Sequence, residues 1–177
     1  MSRTRRFLTA LRSVVMGTAA GTTGGGARTA AEPVRQDIPG QAGPDATIEL
    51  DPTRLGRPGW GYAPESDGAL DPGEIVWTWV PYEEQDGRGK DRPVVIMATL
   101  GRGNLLAVQL TSKDHSGDDD YLPLGVGPWD RDRRPSWAGI ARVFQVRQGG
   151  VRREGAAVDA ARYDLIERAL RTRYRWR

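Results

Sequence analysis

The sequence predicts a mainly β, α+β domain: a small, strongly bent antiparallel sheet or partly open barrel with one C-terminal helix, behind a disordered leader. Three observations predict it. Residues 17–73 hold 12 Gly and 7 Pro, and so few large apolar side chains that burial cannot offset the entropy of ordering them. After Gly73 comes a series of short segments rich in β-branched and aromatic residues, separated by Gly- and Pro-bearing turns. The chain then finishes in a capped stretch of helical periodicity from Asp159 onward. The boundaries therefore read 1–72 for the leader and 73–177 for the folded domain.

Each element has its own reason. Residues 3–16 alternate Arg3, Arg5, Arg6 and Arg12 with Phe7, Leu8, Leu11, Val14 and Val15, the pattern of a short basic amphipathic helix. Arg12 interrupts its apolar stretch and the twin arginines lack a spacer residue, which argues against an export signal and for a cytoplasmic protein. No apolar run approaches the roughly 18 residues that a membrane helix needs. In the leader, only Gly59-Trp60-Gly61-Tyr62 offers an anchor. EIVWTWV (74–80) has strand composition and ends at Pro81, with Trp77 and Trp79 on the same side as Ile75, either packing in the core or stacking on bases. PYEEQDGRGKDR (81–92) is a polar loop long enough to be functional. PVVIMAT (93–99) and LLAVQLT (105–111) flank Gly101-Arg102-Gly103-Asn104, a hairpin signal. A second polar loop (112–120), the short strand 121–124 and the strand-like WAGIARVFQV (137–146) follow. The terminal helix sets Val158, Ala161, Leu165, Ile166, Ala169 and Leu170 near one face and ends in arginines, which suit the helix dipole or a phosphate.

Composition removes whole classes of chemistry. With no Cys, disulfide scaffolds, zinc fingers, iron–sulfur clusters and thiol nucleophiles are excluded. One His excludes a multi-histidine metal site, and the contiguous Asp118-Asp119-Asp120 diverge as side chains, so no metal and no cofactor are expected. A formal net charge of +3 is too small to mark a nucleic-acid binder unaided.

The order of elements nevertheless resembles a known family. Gly73-Glu74-Ile75-Val76-Trp77 opens a strand, and a Gly-rich loop closes on Arg92-Pro93-Val94-Val95-Ile96. The next strand ends Leu110-Thr111-Ser112, and Phe144-Gln145-Val146-Arg147 precedes the final helix. This arrangement is similar to the PemK/MazF toxin endoribonucleases of type II toxin–antitoxin modules, over residues 73 to about 172. The resemblance implies an SH3-like (CcdB/PemK) barrel, a homodimer, metal-independent cleavage of single-stranded RNA, and a cognate antitoxin. It also implies that Arg92 and Thr111 are the catalytic pair. Arg88 and Lys90 either grip RNA phosphates from their loop or solubilise it, and Ser112 and Lys113 are further candidate RNA contacts. An alternative in the same fold is a non-catalytic barrel that acts by binding protein, as the gyrase inhibitors do.

The chemistry fits these residue types. A guanidinium matches phosphate geometry and never titrates away, while a hydroxyl adds a hydrogen bond to a developing oxyanion. Arginine is a poor general base. His115, four residues past Thr111, is the one side chain of suitable ordinary pKa, and either assists proton transfer or is a solvated loop residue.

Overall fold

The computed structural model describes residues 38–65 and 68–177. The basic helix expected over 3–16 lies outside the described residues. The fold is a mostly antiparallel β-sheet with one C-terminal helix. Its strands are β1 (Ile48–Leu50), β2 (Gly59–Trp60), β3 (Glu74–Pro81), β4 (Gly89–Gly101), β5 (Asn104–Thr111), β6 (Tyr121–Gly125), β7 (Ser136–Gly139), β8 (Val143–Arg147) and β9 (Arg152–Ala157), followed by helix α1 (Ala160–Tyr174). The main path runs β1-β8-β5-β4-β3-β9, with β2 on β4, β7 on β5 and β6 on β7.

The bending is concentrated in β4. Its first half pairs with β3 and its second with β5, and the β5 register shifts between Ile96 and Ala98 and again between Thr99 and Gly101. Such irregularities bend a strand and raise its twist. The hairpin to β5 turns at Arg102 and Gly103, with φ of 55° and 73°. Positive φ at both central residues gives a turn whose twist matches that of the strands.

Alternation along these strands feeds two cores. Ile75, Val95, Met97, Val108 and Leu110 join one cluster with Ile166 and Leu170 of α1. Val76, Val80, Val94, Ile96, Ala107 and Phe144 form the second. Burial on both sides of one sheet is what a bent sheet achieves by folding its concave face onto itself. Asp159 caps the helix by accepting from the Arg162 N–H. The buried face is Tyr163, Ile166 and Leu170; Leu165, expected there, is exposed. The hydroxyl of Tyr163 donates to the Met97 carbonyl at 2.6 Å and accepts from the Gly61 N–H at 3.2 Å. That polar anchor, invisible to hydrophobic periodicity, rotates the helix toward Tyr163.

Three further differences from the sequence reading bear on the site. Residues 38–65 are not a loose leader: β1 pairs with β8 and β2 with β4. Trp60 packs 5.9 Å from the Trp176 ring, with the Arg171 guanidinium 5.1 Å from its centroid. Gly40 lets this segment approach closely, because a Cβ there would lie 2.1 Å from Thr78 Oγ1 at φ +79°. The strand expected over 137–146 is split, with Ile140–Arg142 turning between β7 and β8. And β9, too polar to read as a strand, completes the edge beyond β3. No helix among the described residues is long and apolar enough to cross a membrane.

Candidate functional site

Arg92 and Thr111 line the same two clefts. The β4–β5 ladder reaches Val94 and Gln109; beyond it Arg92 pairs with Thr78 of β3 and Thr111 with Trp137 of β7. Both residues line a cleft of about 660 Å³ together with Trp77, Lys90, Asp91, Leu110, Lys113, Trp129, Asp130 and Arg152. Both also line a second cleft of about 420 Å³, with Arg88, Gln109, His115, Tyr121 and Arg142. Lys113 is likewise shared by the two clefts.

Charge pairing divides the first cleft sharply. Asp91 bonds Arg152 at 3.0 Å, and Arg152 also reaches Glu154 at 3.5 Å. Asp130 holds Arg134 at 2.9 Å, with Asp132 at 3.6 Å from the same guanidinium. The Asp130 carboxyl stays below the usual carboxylate range, its partial burial outweighed by hydrogen bonds from Arg134 and from the Asp132 N–H. Every carboxylate of the cleft therefore has an arginine. Lys90, Arg92 and Lys113 have no ion-pair partner among the described residues. These three cations give the first cleft a wall of unpaired positive charge, which favours an anionic ligand, whereas the second cleft also carries the exposed Glu83 and Glu84.

Thr111 is oriented by its own loop. Its Oγ1 accepts from the Lys113 N–H at 3.1 Å, so the hydroxyl proton remains free to donate. Ser112 is exposed beside it and lines the first cleft. Arg88 is spent within its loop, its Nε 2.6 Å from Asp86. His115 stacks on Tyr121 with ring centroids 3.5 Å apart, and its Nδ1 lies 3.4 Å from Asp118 Oδ2. It belongs to the second cleft with Arg92 and Thr111.

Several site residues escaped the sequence reading. Trp77 is not core but half-buried in the cleft wall, with the Arg152 guanidinium 5.4 Å from its ring. Trp129 supplies a buried apolar surface, fixed by its Nε1 donating to Ser136 Oγ at 3.1 Å. Arg142 enters the second cleft from the unexpected break between β7 and β8. The alternating charges of Asp130-Arg131-Asp132-Arg133-Arg134 were the available signal for the acid–arginine rim. No group of three or more His, Asp or Glu side chains among the described residues is placed to hold a metal ion.

An endoribonuclease from a mycobacterial species shares 15% identity at a TM-score of 0.43, over 60% of this chain and 92% of that one. A MazE–MazF structure from Deinococcus radiodurans gives 14% and 0.45, over 62% and 99%. The Mycobacterium tuberculosis toxin MazF-mt6 gives 14% and 0.42, over 58% and 98%. No curated protein sequence matches. Residues 71–173 match the family model of the PemK-like, MazF-like toxins. That match spans the strands β3 to β9 and nearly all of α1, so the chain belongs to the PemK-like, MazF-like toxin family of type II toxin–antitoxin systems.

Proposed function

We propose that this toxin is an endoribonuclease that cuts single-stranded RNA without a metal ion, with Arg92 and Thr111 as its catalytic residues. The observation that carries the reading is that Arg92, with no ion-pair partner among the described residues, lines the same two clefts as the Thr111 hydroxyl and Lys113, with Lys90 in the first. The 2′-hydroxyl oxygen of the substrate attacks the adjacent phosphorus, the P–O5′ bond breaks, and its electron pair leaves with O5′. One proton departs from the 2′-hydroxyl and one arrives at O5′, giving a 2′,3′-cyclic phosphate and a 5′-hydroxyl. Arg92 and Thr111 stabilise the charge that builds on the phosphoryl oxygens. Lys90, Lys113 and Ser112 hold the RNA on either side, with Arg88 joining once it releases Asp86. His115, which lines the second cleft, either assists proton transfer or serves only its stack on Tyr121.

The functional form we propose is a cytoplasmic homodimer restrained by a cognate antitoxin. The deciding experiment maps cut sites on a defined RNA in the presence of EDTA and reads the 5′-end chemistry. Discrete cuts with 5′-hydroxyl ends, lost in Arg92→Ala, are expected. Ends bearing 5′-phosphate would overturn the mechanism. Equal cutting by wild type and Arg92→Ala would mark a contaminant and leave a barrel that acts by binding protein.

A further inference from the structure

We infer that the Tyr121 hydroxyl is a catalytic group of the second cleft, giving its proton to O5′ as the P–O5′ bond breaks. This rests on the ribonuclease reading above and fills a step which that reading leaves without a donor. Arginine holds its proton too tightly to deliver it, and a threonine hydroxyl is a weaker acid than a phenol.

Tyr121 opens β6 and lines the second cleft with Arg92, Gln109, Thr111 and His115. Its ring is held from two sides. Across the β6–β7 ladder Tyr121 pairs with Gly139, where a Cβ would lie 3.3 Å from Tyr121 Cε1 and from Gln109 Cγ. The missing side chain is what makes room for the ring against β7. From the other side the His115 ring stacks on it, with centroids 3.5 Å and planes 14° apart. A run of turns brings His115 back over Tyr121. The Asp114 carboxylate accepts from the Ser116 N–H at 2.9 Å and from its hydroxyl at 2.6 Å. The Asp118 N–H donates to the His115 carbonyl at 3.1 Å, and the Tyr121 N–H to the Asp118 carbonyl at 3.0 Å. The hydroxyl carried by this fixed ring has no hydrogen-bond partner among the described residues and is not sealed from solvent. Packing alone would be served equally by phenylalanine.

The surroundings keep the phenol protonated until it is needed. Burial raises it above its ordinary 10.0, and the carboxylates of Asp118, Glu83 and Asp120 push the same way, while the Arg92 guanidinium pulls it down. At neutral pH the group is therefore a proton donor, with the Arg92 charge acting to steady the phenolate that forms. Glu83 is exposed, so solvent screens its effect on a bound phosphate. When the P–O5′ bond breaks, its electron pair stays on O5′, and O5′ takes the phenol proton. The 2′-hydroxyl proton leaves separately, to water or to His115, and the phenolate regains a proton from water once the products depart. An alkoxide is far more basic than a phenolate, so the transfer to O5′ runs downhill.

The test uses the full chain and two RNAs of the mapped cleavage sequence, one natural and one with sulfur in place of the bridging O5′ at the cut. A thiol has an ordinary pKa near 8.5, so a thiolate leaves without being protonated. Single-turnover rates at saturating enzyme are compared for wild type and Tyr121→Phe, which keeps the ring and its stack on His115. Loss of a general acid slows the reaction by about 100-fold or more. That loss is expected on the natural RNA, with the sulfur-linked RNA cut within about three-fold of wild type. Losses of equal size on both RNAs would overturn the inference, because a displaced ring or a missing contact to the phosphoryl oxygens slows both. So would a natural RNA that Tyr121→Phe cuts within about three-fold of wild type. If wild type cuts neither RNA, the ribonuclease reading falls and takes this one with it; a cutting wild type with no oxygen-specific loss in Tyr121→Phe removes only the role of Tyr121.

Discussion

Replacing Thr111 by valine isolates one hydroxyl. Valine keeps the branched shape and the strand preference, so the end of β5 is left in place. The hydroxyl accepts one hydrogen bond in the free protein, from the Lys113 N–H at 3.1 Å. That bond is exposed, so water replaces it and the stability loss should stay within about 1 kcal/mol. The catalytic loss should be much larger. Removing one preorganised donor to a developing oxyanion lowers the rate by about 100- to 1000-fold, or roughly 2.7–4 kcal/mol of barrier. Single-turnover cleavage at saturating enzyme measures the barrier, and thermal unfolding of the same samples measures stability. Thr111→Ser restores the hydroxyl and should recover activity to within about ten-fold of wild type. A Thr111→Val protein that cuts within about three-fold of wild type would refute the donor role. Loss of activity that tracks a collapse in melting temperature would refute it equally.

Other perturbations probe the frame around the site. Tyr163→Phe leaves the Met97 carbonyl and the Gly61 N–H without their partner, and should cost about 1–3 kcal/mol in denaturant unfolding. Burial pushes the Tyr163 hydroxyl from 10.0 up to about 12. Its contribution is therefore intact below pH 10 and lost as pH rises through 12, and Tyr163→Phe should flatten that part of the stability profile. Asp159→Ala should cost about 1 kcal/mol of helix capping at pH 7. The Arg162 N–H holds this carboxyl below its usual 3.8, so the cap is complete above that value and fades as pH falls through the lower, folded one. Melting curves of Asp159→Ala and wild type should accordingly converge in strong acid. His115→Ala separates two roles by initial rates: near-normal cleavage assigns the histidine to its Tyr121 stack, whereas a loss beyond about 100-fold assigns it to proton transfer.

Much of this protein was legible as a string. The hairpin was announced by Gly101 and Gly103, the helix start by Asp159, and the sheet by the strand composition of 74–80, 93–99 and 105–111. These features depend on φ preference, capping and side-chain period, all set within a few residues of chain. Arg92 and Thr111 were nameable only through resemblance, because Arg92-Pro93 and Thr111-Ser112 match motifs of the family. Other features needed the folded molecule. β1 and β2 have three and two residues, too short to show any period, and they exist because β8 and β4 offer them edges. β9 is polar and still a strand because β3 supplies its hydrogen bonds. Which cations are free was equally hidden. Arg152 is neutralised by Asp91, 61 positions distant, and Arg142 by Glu49, 93 positions distant, while Lys90 and Arg92 beside Asp91 are not. Local patterns carry local free energies; ion pairing and edge strands draw theirs from partners that only chain folding brings within reach.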